Sequence, residues 1–239
     1  MKNIFRITGI ILLILLIHSC KMKENNEPKI EHGSVIDYDG NTYNTTKIGT
    51  QWWMTENLKV IHYRDGSAIE NITDSSAWAY LTTGAYCWYN NNEATYKANY
   101  GALYNWYTIV DSRNLCPSGW HVPNDNEWIT LITYLGCEAI AGIKLKEVGD
   151  YYWSPSTTMS DNSSDFSALA GGQRINAPVG TFNGSSTPFY YMGRIATWWN
   201  TTSTTSEHEL EVDANRSGTE KYYFQKNQGY SIRCIKGTI

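Results

Sequence analysis

The sequence predicts an α+β domain in which small antiparallel sheets and long loops surround one well-marked helix. The helix lies in the stretch CPSGWHVPNDNEWITLITYLG at residues 116–136, where Asn124 stands three residues before Glu127, as in a capping box. The dipeptide Asp39-Gly40 separates two β-rich runs, which indicates a hairpin. The 239-residue chain also contains 10 Trp and 18 Tyr but only 18% charged residues. Such a composition is typical of extracellular β-rich proteins.

The predicted helix covers about residues 125–135. Its apolar positions recur at the spacing of a single helix face: Trp128, Leu131, Ile132 and Leu135. Gly136 follows the last of them, where a helix end favours a residue that adopts left-handed backbone angles. We expect Trp128 to be buried in the core. His121 lies in the turn before the helix, and we expect it to be half-buried and bonded to a loop carbonyl.

Strands are predicted on both sides of Asp39-Gly40, at residues 35–38 and 42–45. The other predicted strands are short and aromatic or β-branched, and they cover residues 85–89, 166–174 and 195–199. A short helix is predicted from the near-helical spacing of Leu103, Trp106, Tyr107 and Val110, and a further helical turn at residues 141–146. Residues 222–224 and 230–235 are predicted to close the domain as a hairpin.

Four acidic residues alternate as they would on one face of a strand: Glu207, Glu209, Glu211 and Asp213. We expect this face to be a solvated sheet edge whose charges oppose aggregation. An acidic face that binds a metal or a ligand is the alternative.

The first 20 residues are predicted to be a signal peptide rather than part of the fold. Lys2 and Arg6 precede an apolar run at residues 9–17, which is shorter than the roughly 20 residues a spanning helix needs. The run ends just before Cys20, which resembles a bacterial lipoprotein signal with acylation at that cysteine. An ordinary signal peptide with a stray cysteine is the alternative. Polar residues 21–32 are predicted to be a flexible tether.

A lipid on Cys20 would place the protein in the bacterial cell envelope. Several acyl chains on one cysteine give stable anchoring, so the expected partner is a membrane, and the expected location is the outer membrane. Whether the domain faces the periplasm or the exterior stays open. The net charge of −4 argues against a nucleic-acid partner.

The chain has 5 Cys, and acylation of Cys20 would leave four, which allow three pairings. We favour Cys116 with Cys234, because this bond would tie the start of the helix to the last strand. It would close most of the domain, a contribution of about 4–5 kcal/mol in the loop-entropy account. The alternative is that some or all of these four cysteines remain free, buried thiols. The spacing contains no CxxC pair and does not indicate a zinc site.

Several segments resemble one bacterial family, the Fibrobacter succinogenes major paralogous domain. They are GALYNWYTIV, LCPSGWHVPNDNEW, FSALAGGQR, GTFNG, ATWWN and GYSIRCIK, and the likeness runs over residues 33–239. The resemblance implies a compact fold like that of C-type lectins and formylglycine-generating enzymes, with the first and last strands close together. It also implies a secreted protein or lipoprotein. It implies no particular reaction.

The sequence favours a non-catalytic envelope lipoprotein that binds a glycan or a protein. Formylglycine-generating enzymes need reactive or copper-binding cysteines late in the fold, where this chain has only Cys234. No nucleophile motif is present, so we expect no enzyme activity, cofactor or metal. A structural or assembly component of the envelope, without a small-molecule ligand, is the alternative, and an unrecognised enzyme is a third hypothesis.

The candidate binding residues are exposed aromatics in the loop-rich region at residues 149–205. Loops on a rigid scaffold often carry binding residues, and Tyr or Trp rings stack on sugars. Tyr190 and Tyr191 are the first choices. Trp198 and Trp199 are expected in the core, because they lie in a segment that resembles a strand of the family.

Overall fold

The structure is a computed structural model of the chain. It describes residues 30–154, 160–176, 187–203, 207–213 and 215–237. The predicted signal peptide with Cys20, the tether up to residue 29 and the GTFNG segment lie outside these residues.

Helices and strands alternate along the described chain. The helices are α1 (Ser75–Ala79), α2 (Glu93–Tyr100), α3 (Trp106–Ile109), α4 (Asp125–Tyr134) and α5 (Glu138–Leu145), with a 3-10 turn at Tyr89–Asn91. The strands of the first half are β1 (His32–Ile36), β2 (Thr42–Ile48), β3 (Gln51–Met54), β4 (Glu70–Asn71), β5 (Ala85–Cys87), β6 (Leu103–Tyr104) and β7 (Trp120–His121). Those of the second half are β8 (Gly171–Arg174), β9 (Phe189–Met192), β10 (Ile195–Ser203), β11 (Glu207–Asp213), β12 (Thr219–Phe224) and β13 (Ile235–Lys236).

These strands form small sheets, as an α+β fold requires. The largest sheet has the order β1-β2-β3-β13-β7, and the others are β10-β11-β12, β4-β5-β6 and β8-β9. Among the described strands, every strand pair is antiparallel except that of β4 with β5. Within the described residues, no single helix is long and apolar enough to cross a membrane; the bent pair α4–α5, broken by 84°, passes that test by length and composition alone.

The predicted hairpin is present, with a longer loop than a two-residue turn. Strands β1 and β2 pair up to Ile36 and Thr42, so residues 37–41 form the loop, and Gly40 adopts a φ of 81°. The Asp37 carboxylate closes it by accepting from the Asn41 backbone at 2.9 Å and from the Tyr43 hydroxyl at 2.6 Å. Asp37 therefore stabilises the hairpin loop, whereas Asp39 bonds outside it, to the Ile61 backbone and His62.

Helix α4 forms where its local signals predict it. Asn124 accepts from the Glu127 backbone at 3.1 Å, and Glu127 accepts from the Asn124 backbone at 2.8 Å, which completes the capping box. Trp128 is fully buried, and its ring centroid lies 4.6 Å from that of Trp53. Gly136 has a φ of 122° just past the end of the helix.

The disulfide between Cys116 and Cys234 is confirmed. Its Cα atoms are 6.0 Å apart and it joins residues separated by 118 positions. Beside it, Ile235 pairs with both His121 and Trp53, so the last strand lies between elements from the middle and the start of the chain. Cys87 is a buried free thiol, and burial raises its pKa to about 11.

The predicted closing hairpin is wrong. Strand β12 pairs with β11 in another sheet, while residues 230–235 run through the core. Their backbone groups bond to separate partners, among them the carbonyl of Tyr104 and the amides of Leu58 and Met54. The aromatic pattern predicted two strands that pair with each other. Residues 230–235 bond instead to these distant segments, and the local sequence does not indicate such long-range partners.

Three finer predictions also need correction. The acidic strand β11 is the centre of its sheet rather than an edge, because β12 covers its outer side. Helix α3 begins only at Trp106, since Leu103–Tyr104 pairs with β5 and Asn105 caps the helix. In residues 166–174 only the end, Gly171–Arg174, is strand.

Candidate ligand-binding surface

The predicted binding residues Tyr190 and Tyr191 lie on β9, which pairs with β8. Tyr190 is half-buried and Tyr191 is 40% exposed, with ring centroids 6.0 Å apart. Tyr191 has a φ of 65°, and its carbonyl accepts from the Arg194 backbone at 2.9 Å, which turns the chain back into β10. These two residues are therefore adjacent at a surface turn. Trp198 and Trp199 are fully buried, as predicted.

A longer set of aromatic rings begins beside β9. We call it the tyrosine row, and it comprises Tyr89, Tyr96, Tyr100, Tyr152 and Tyr151. Successive ring centroids in that order are 5.2, 6.1, 6.0 and 4.7 Å apart. The row joins the 3-10 turn and helix α2 to a loop near residue 150, segments that are distant in sequence.

Exposure rises along the tyrosine row. Tyr89 is buried at one end, where its ring packs 5.2 Å from that of Phe189. Tyr96, Tyr100 and Tyr152 are half-buried, and Tyr151 is 85% exposed at the other end. The inner rings are thus anchored in the fold, while the outer rings remain open to a ligand.

Two hydroxyl groups of the row, those of Tyr89 and Tyr100, have raised pKa values. Burial is the largest cause that raises the pKa of Tyr100, and the neighbouring phenols add to it in the order Tyr152, Tyr151, Tyr96. Burial also raises the pKa of Tyr89 to about 12. A neutral phenol both donates and accepts hydrogen bonds, so the row offers ring faces together with clustered hydroxyls.

Helix α2 positions the middle of the row. Asn92 caps the helix by accepting from the Thr95 backbone at 3.1 Å, and Glu93 pairs with Lys97 at 2.7 Å. Tyr96 and Tyr100 are four residues apart and therefore share a face. No residue of α2 is buried, so the helix presents its side chains at the surface instead of filling the core.

Gly172, in the segment AGGQR, allows the row to meet β9. Its φ is 63°, and a Cβ there would lie 2.4 Å from the Tyr190 carbonyl oxygen and 2.8 Å from the Tyr89 ring. Both distances are too short for a side chain. The glycine thus lets the backbone of β9 border the buried end of the row.

Sequence reasoning missed helix α2 and with it the two middle rings of the row, Tyr96 and Tyr100. The signals were present: Asn92 is a helix-capping residue, and Glu93 and Lys97 have the spacing of a helical ion pair. The contact between Tyr100 and Tyr152 had no comparable signal, because it joins residues that are 52 positions apart only through the tertiary fold.

Two acidic residues outside the row, Asp39 and Glu127, are each in contact with a histidine. Asp39 accepts from the Ile61 backbone and contacts His62 at 2.5 Å, and His121 lies 2.8 Å from Glu127. Burial, with Asp213 nearby, raises the pKa of Glu211 to about 7. Within the described part of the chain, no group of three or more His, Cys, Asp or Glu residues could hold a metal ion.

The fold and this surface define an α+β domain with a partly exposed aromatic face. A family profile described as the Fibrobacter succinogenes major domain matches residues 46–236. The match covers most of the chain, so the chain belongs to this family, in agreement with the resemblance of its segments. No curated protein and no solved structure matches the chain.

Proposed function

We propose that this protein is a non-catalytic lipoprotein of the bacterial envelope, anchored through Cys20, whose domain binds a glycan through the tyrosine row. The observation that carries the proposal is the row itself, in which linked rings run from the core to an 85% exposed end at Tyr151. Tyr190 and Tyr191 lie on the strand that borders Tyr89, and we propose that they extend the same surface.

Sugar chemistry suits this surface. The apolar faces of sugar rings stack on aromatic side chains, while their hydroxyls need hydrogen-bond partners that can both donate and accept. Half-buried tyrosines meet both needs, and ring contacts already restrict their rotation. A ligand that binds them therefore loses less side-chain entropy than one that orders free side chains.

We further propose that the scaffold is C-type-lectin-like. Two features support this: β13 lies between β3 and β7 in one sheet, and Cys116, ahead of helix α4, is bonded to Cys234 beside the last strand. The same bond supports a non-catalytic role, because Cys234 is the one cysteine in the last third of the chain and is held in a disulfide.

The alternative function is a structural or assembly component of the envelope. Strand β1 favours it, because among the described strands β1 pairs with β2 alone and its Ile36 is 61% exposed. An open strand edge can accept a strand of another protein. Under this alternative, no polysaccharide would bind.

The test is binding of the purified protein to a panel of polysaccharides. We expect wild type to bind at least one of them, the Tyr96→Ala, Tyr100→Ala double variant to lose that binding, and the Tyr190→Ala, Tyr191→Ala variant to weaken it. Thermal melts check that each variant is folded. Wild-type binding that the Tyr96, Tyr100 variant retains in full would reject the tyrosine row, and no binding to any polysaccharide would favour the assembly role.

A further inference from the structure

A groove lies beside the tyrosine row, on a different side of helix α2. Its volume is about 580 Å³, and it is lined by Asn41, Lys59, Glu93, Ala94, Lys97 and Ala98. The two alanines are exposed, and their small side chains leave space along the helix. Polar groups from the β1–β2 loop and the chain after β3 face this space together with the helix.

Buried aromatic rings hold both lysines of the groove. The Lys59 ammonium lies 5.3 Å from the ring centroid of Tyr43, and the Lys59 backbone N–H donates to the Tyr43 hydroxyl at 3.0 Å. The Lys97 ammonium lies 5.2 Å from the ring centroid of Trp88. Tyr43 and Trp88 are 0% and 2% exposed, so these rings are fixed parts of the core. Cation–π contact therefore preorganises the two positive charges.

The charges that line the groove do not cancel. Glu93 is its one acidic residue and pairs with Lys97 at 2.7 Å. Lys59 has no carboxylate within 4.0 Å among the described residues. The Asn41 amide is oriented by donating to the Asp37 carboxylate at 2.8 Å. The lining thus carries one positive charge in excess, and that charge belongs to Lys59.

We propose that this groove binds the carboxylate of an acidic sugar, so that the glycan taken by the protein contains uronic acid residues. The carboxylate would pair with Lys59, and the sugar ring would lie along Ala94 and Ala98. This inference rests on the proposed function, because Tyr96 and Tyr100 on the same helix favour a saccharide over a peptide as the source of the carboxylate.

A matched pair of polymers tests the inference: polygalacturonic acid and the same polymer fully methyl-esterified, which lacks the charge. The purified full chain should bind the free acid about tenfold more tightly at low salt, the difference expected of one charge-assisted hydrogen bond. High salt should reduce this preference. Lys59→Gln should abolish it. Lys236→Gln should not, although Lys236 also lies over a ring, that of Trp52 at 5.8 Å, outside the groove.

Other results of this experiment would each contradict one part of the inference. Carboxylate binding by the groove is rejected by any of three results. These are equal affinity for the two polymers, no binding of either polymer, and equal losses of affinity in Lys59→Gln and Lys236→Gln. A short peptide with a free C-terminal carboxylate is compared with a galacturonate oligomer as a competitor. If the peptide displaces polygalacturonic acid as readily as the oligomer does, the assignment of the groove to sugars is rejected. If Lys59 controls binding but the Tyr96→Ala, Tyr100→Ala variant binds normally, the carboxylate site stands and the tyrosine row fails.

Discussion

Single buried arginines hold much of the irregular backbone in place. Arg233 is 1% exposed, and its guanidinium donates to the carbonyl oxygens of Phe166 and Ser167 and to the Asn57 side chain. Arg174 donates in the same way to three successive carbonyls, those of Ile72, Thr73 and Asp74. Buried carbonyls need partners, and a long multidentate side chain supplies them where no sheet or helix does. None of these contacts was predictable, because each spans more than 60 residues.

His121 links the last strand to helix α4 and should make stability depend on pH. Its Nε2 lies 2.8 Å from Glu127 and its Nδ1 lies 3.1 Å from the Gly237 carbonyl. The hydrogen bond with Glu127 is the main cause that raises the pKa of His121. A raised pKa in the folded state adds stability that is present below the unfolded pKa of about 6.5 and is lost as pH rises through the folded value.

We therefore expect the free energy of unfolding, from urea titrations, to fall as the pH rises above about 6.5. The His121→Gln variant should lose this part of the pH dependence, and Glu127→Gln should reduce it. An identical pH profile for wild type and His121→Gln would contradict this role for the pair.

At the scale of elements, the sequence predicts a helix from local signals but does not predict which strands pair across the fold. Helix α4 carries its cap, its apolar face and its terminal glycine within residues 124–136, so its bounds could be predicted. The predicted closing hairpin was wrong because strand β12 pairs with β11. The local residue pattern indicates that a strand forms but not its partner. The partner of β11 depends on burial across the whole fold.

Helix α4 should be a main source of stability through Trp128. The ring is fully buried, with ring centroids of Trp53, Phe166 and Trp198 within 4.6 to 6.1 Å. We expect Trp128→Ala to lower the free energy of unfolding by about 3–5 kcal/mol. The matched control is Ile129→Ala, since Ile129 follows on the same helix but is 44% exposed, and its change should be within about 0.5 kcal/mol. Equal effects of the two substitutions in urea denaturation would show that the core does not depend on this face.

At the scale of the whole molecule, the sequence specifies the class of fold better than the surface. The α+β class, the hairpin and helix α4 follow from composition and local motifs, and the Cys116–Cys234 bond was the favoured one of three possible pairings. The tyrosine row does not follow from local motifs, because it forms only when α2 and the loop at Tyr151 and Tyr152 meet in the folded chain. The predicted binding region at residues 149–205 contains Tyr151 and Tyr152 of the row as well as Tyr190 and Tyr191, but not the rings on α2. Ligand binding at Tyr190 and Tyr191 stays a prediction.

The whole protein is also expected to be held at a membrane. Replacing Cys20 with alanine removes the predicted acylation site, so the protein should move from the membrane fraction to the soluble fraction. Its thermal melt should stay that of a folded domain. Wild-type protein found only in the soluble fraction, with an unmodified N-terminus by mass spectrometry, would contradict the anchor.

The most direct test of glycan binding compares two exposed tyrosines. Tyr151 is 85% exposed at the open end of the tyrosine row, and Tyr80 is 80% exposed after helix α1, outside the row. Neither supports the core, so calorimetric titration with a polysaccharide that wild type binds measures the contribution of each ring to affinity. We expect Tyr151→Ala to weaken binding about tenfold, the effect of losing one stacking contact, and Tyr80→Ala to leave it unchanged. Equal affinities of Tyr151→Ala and wild type, or equal losses in both variants, would contradict glycan binding by the tyrosine row.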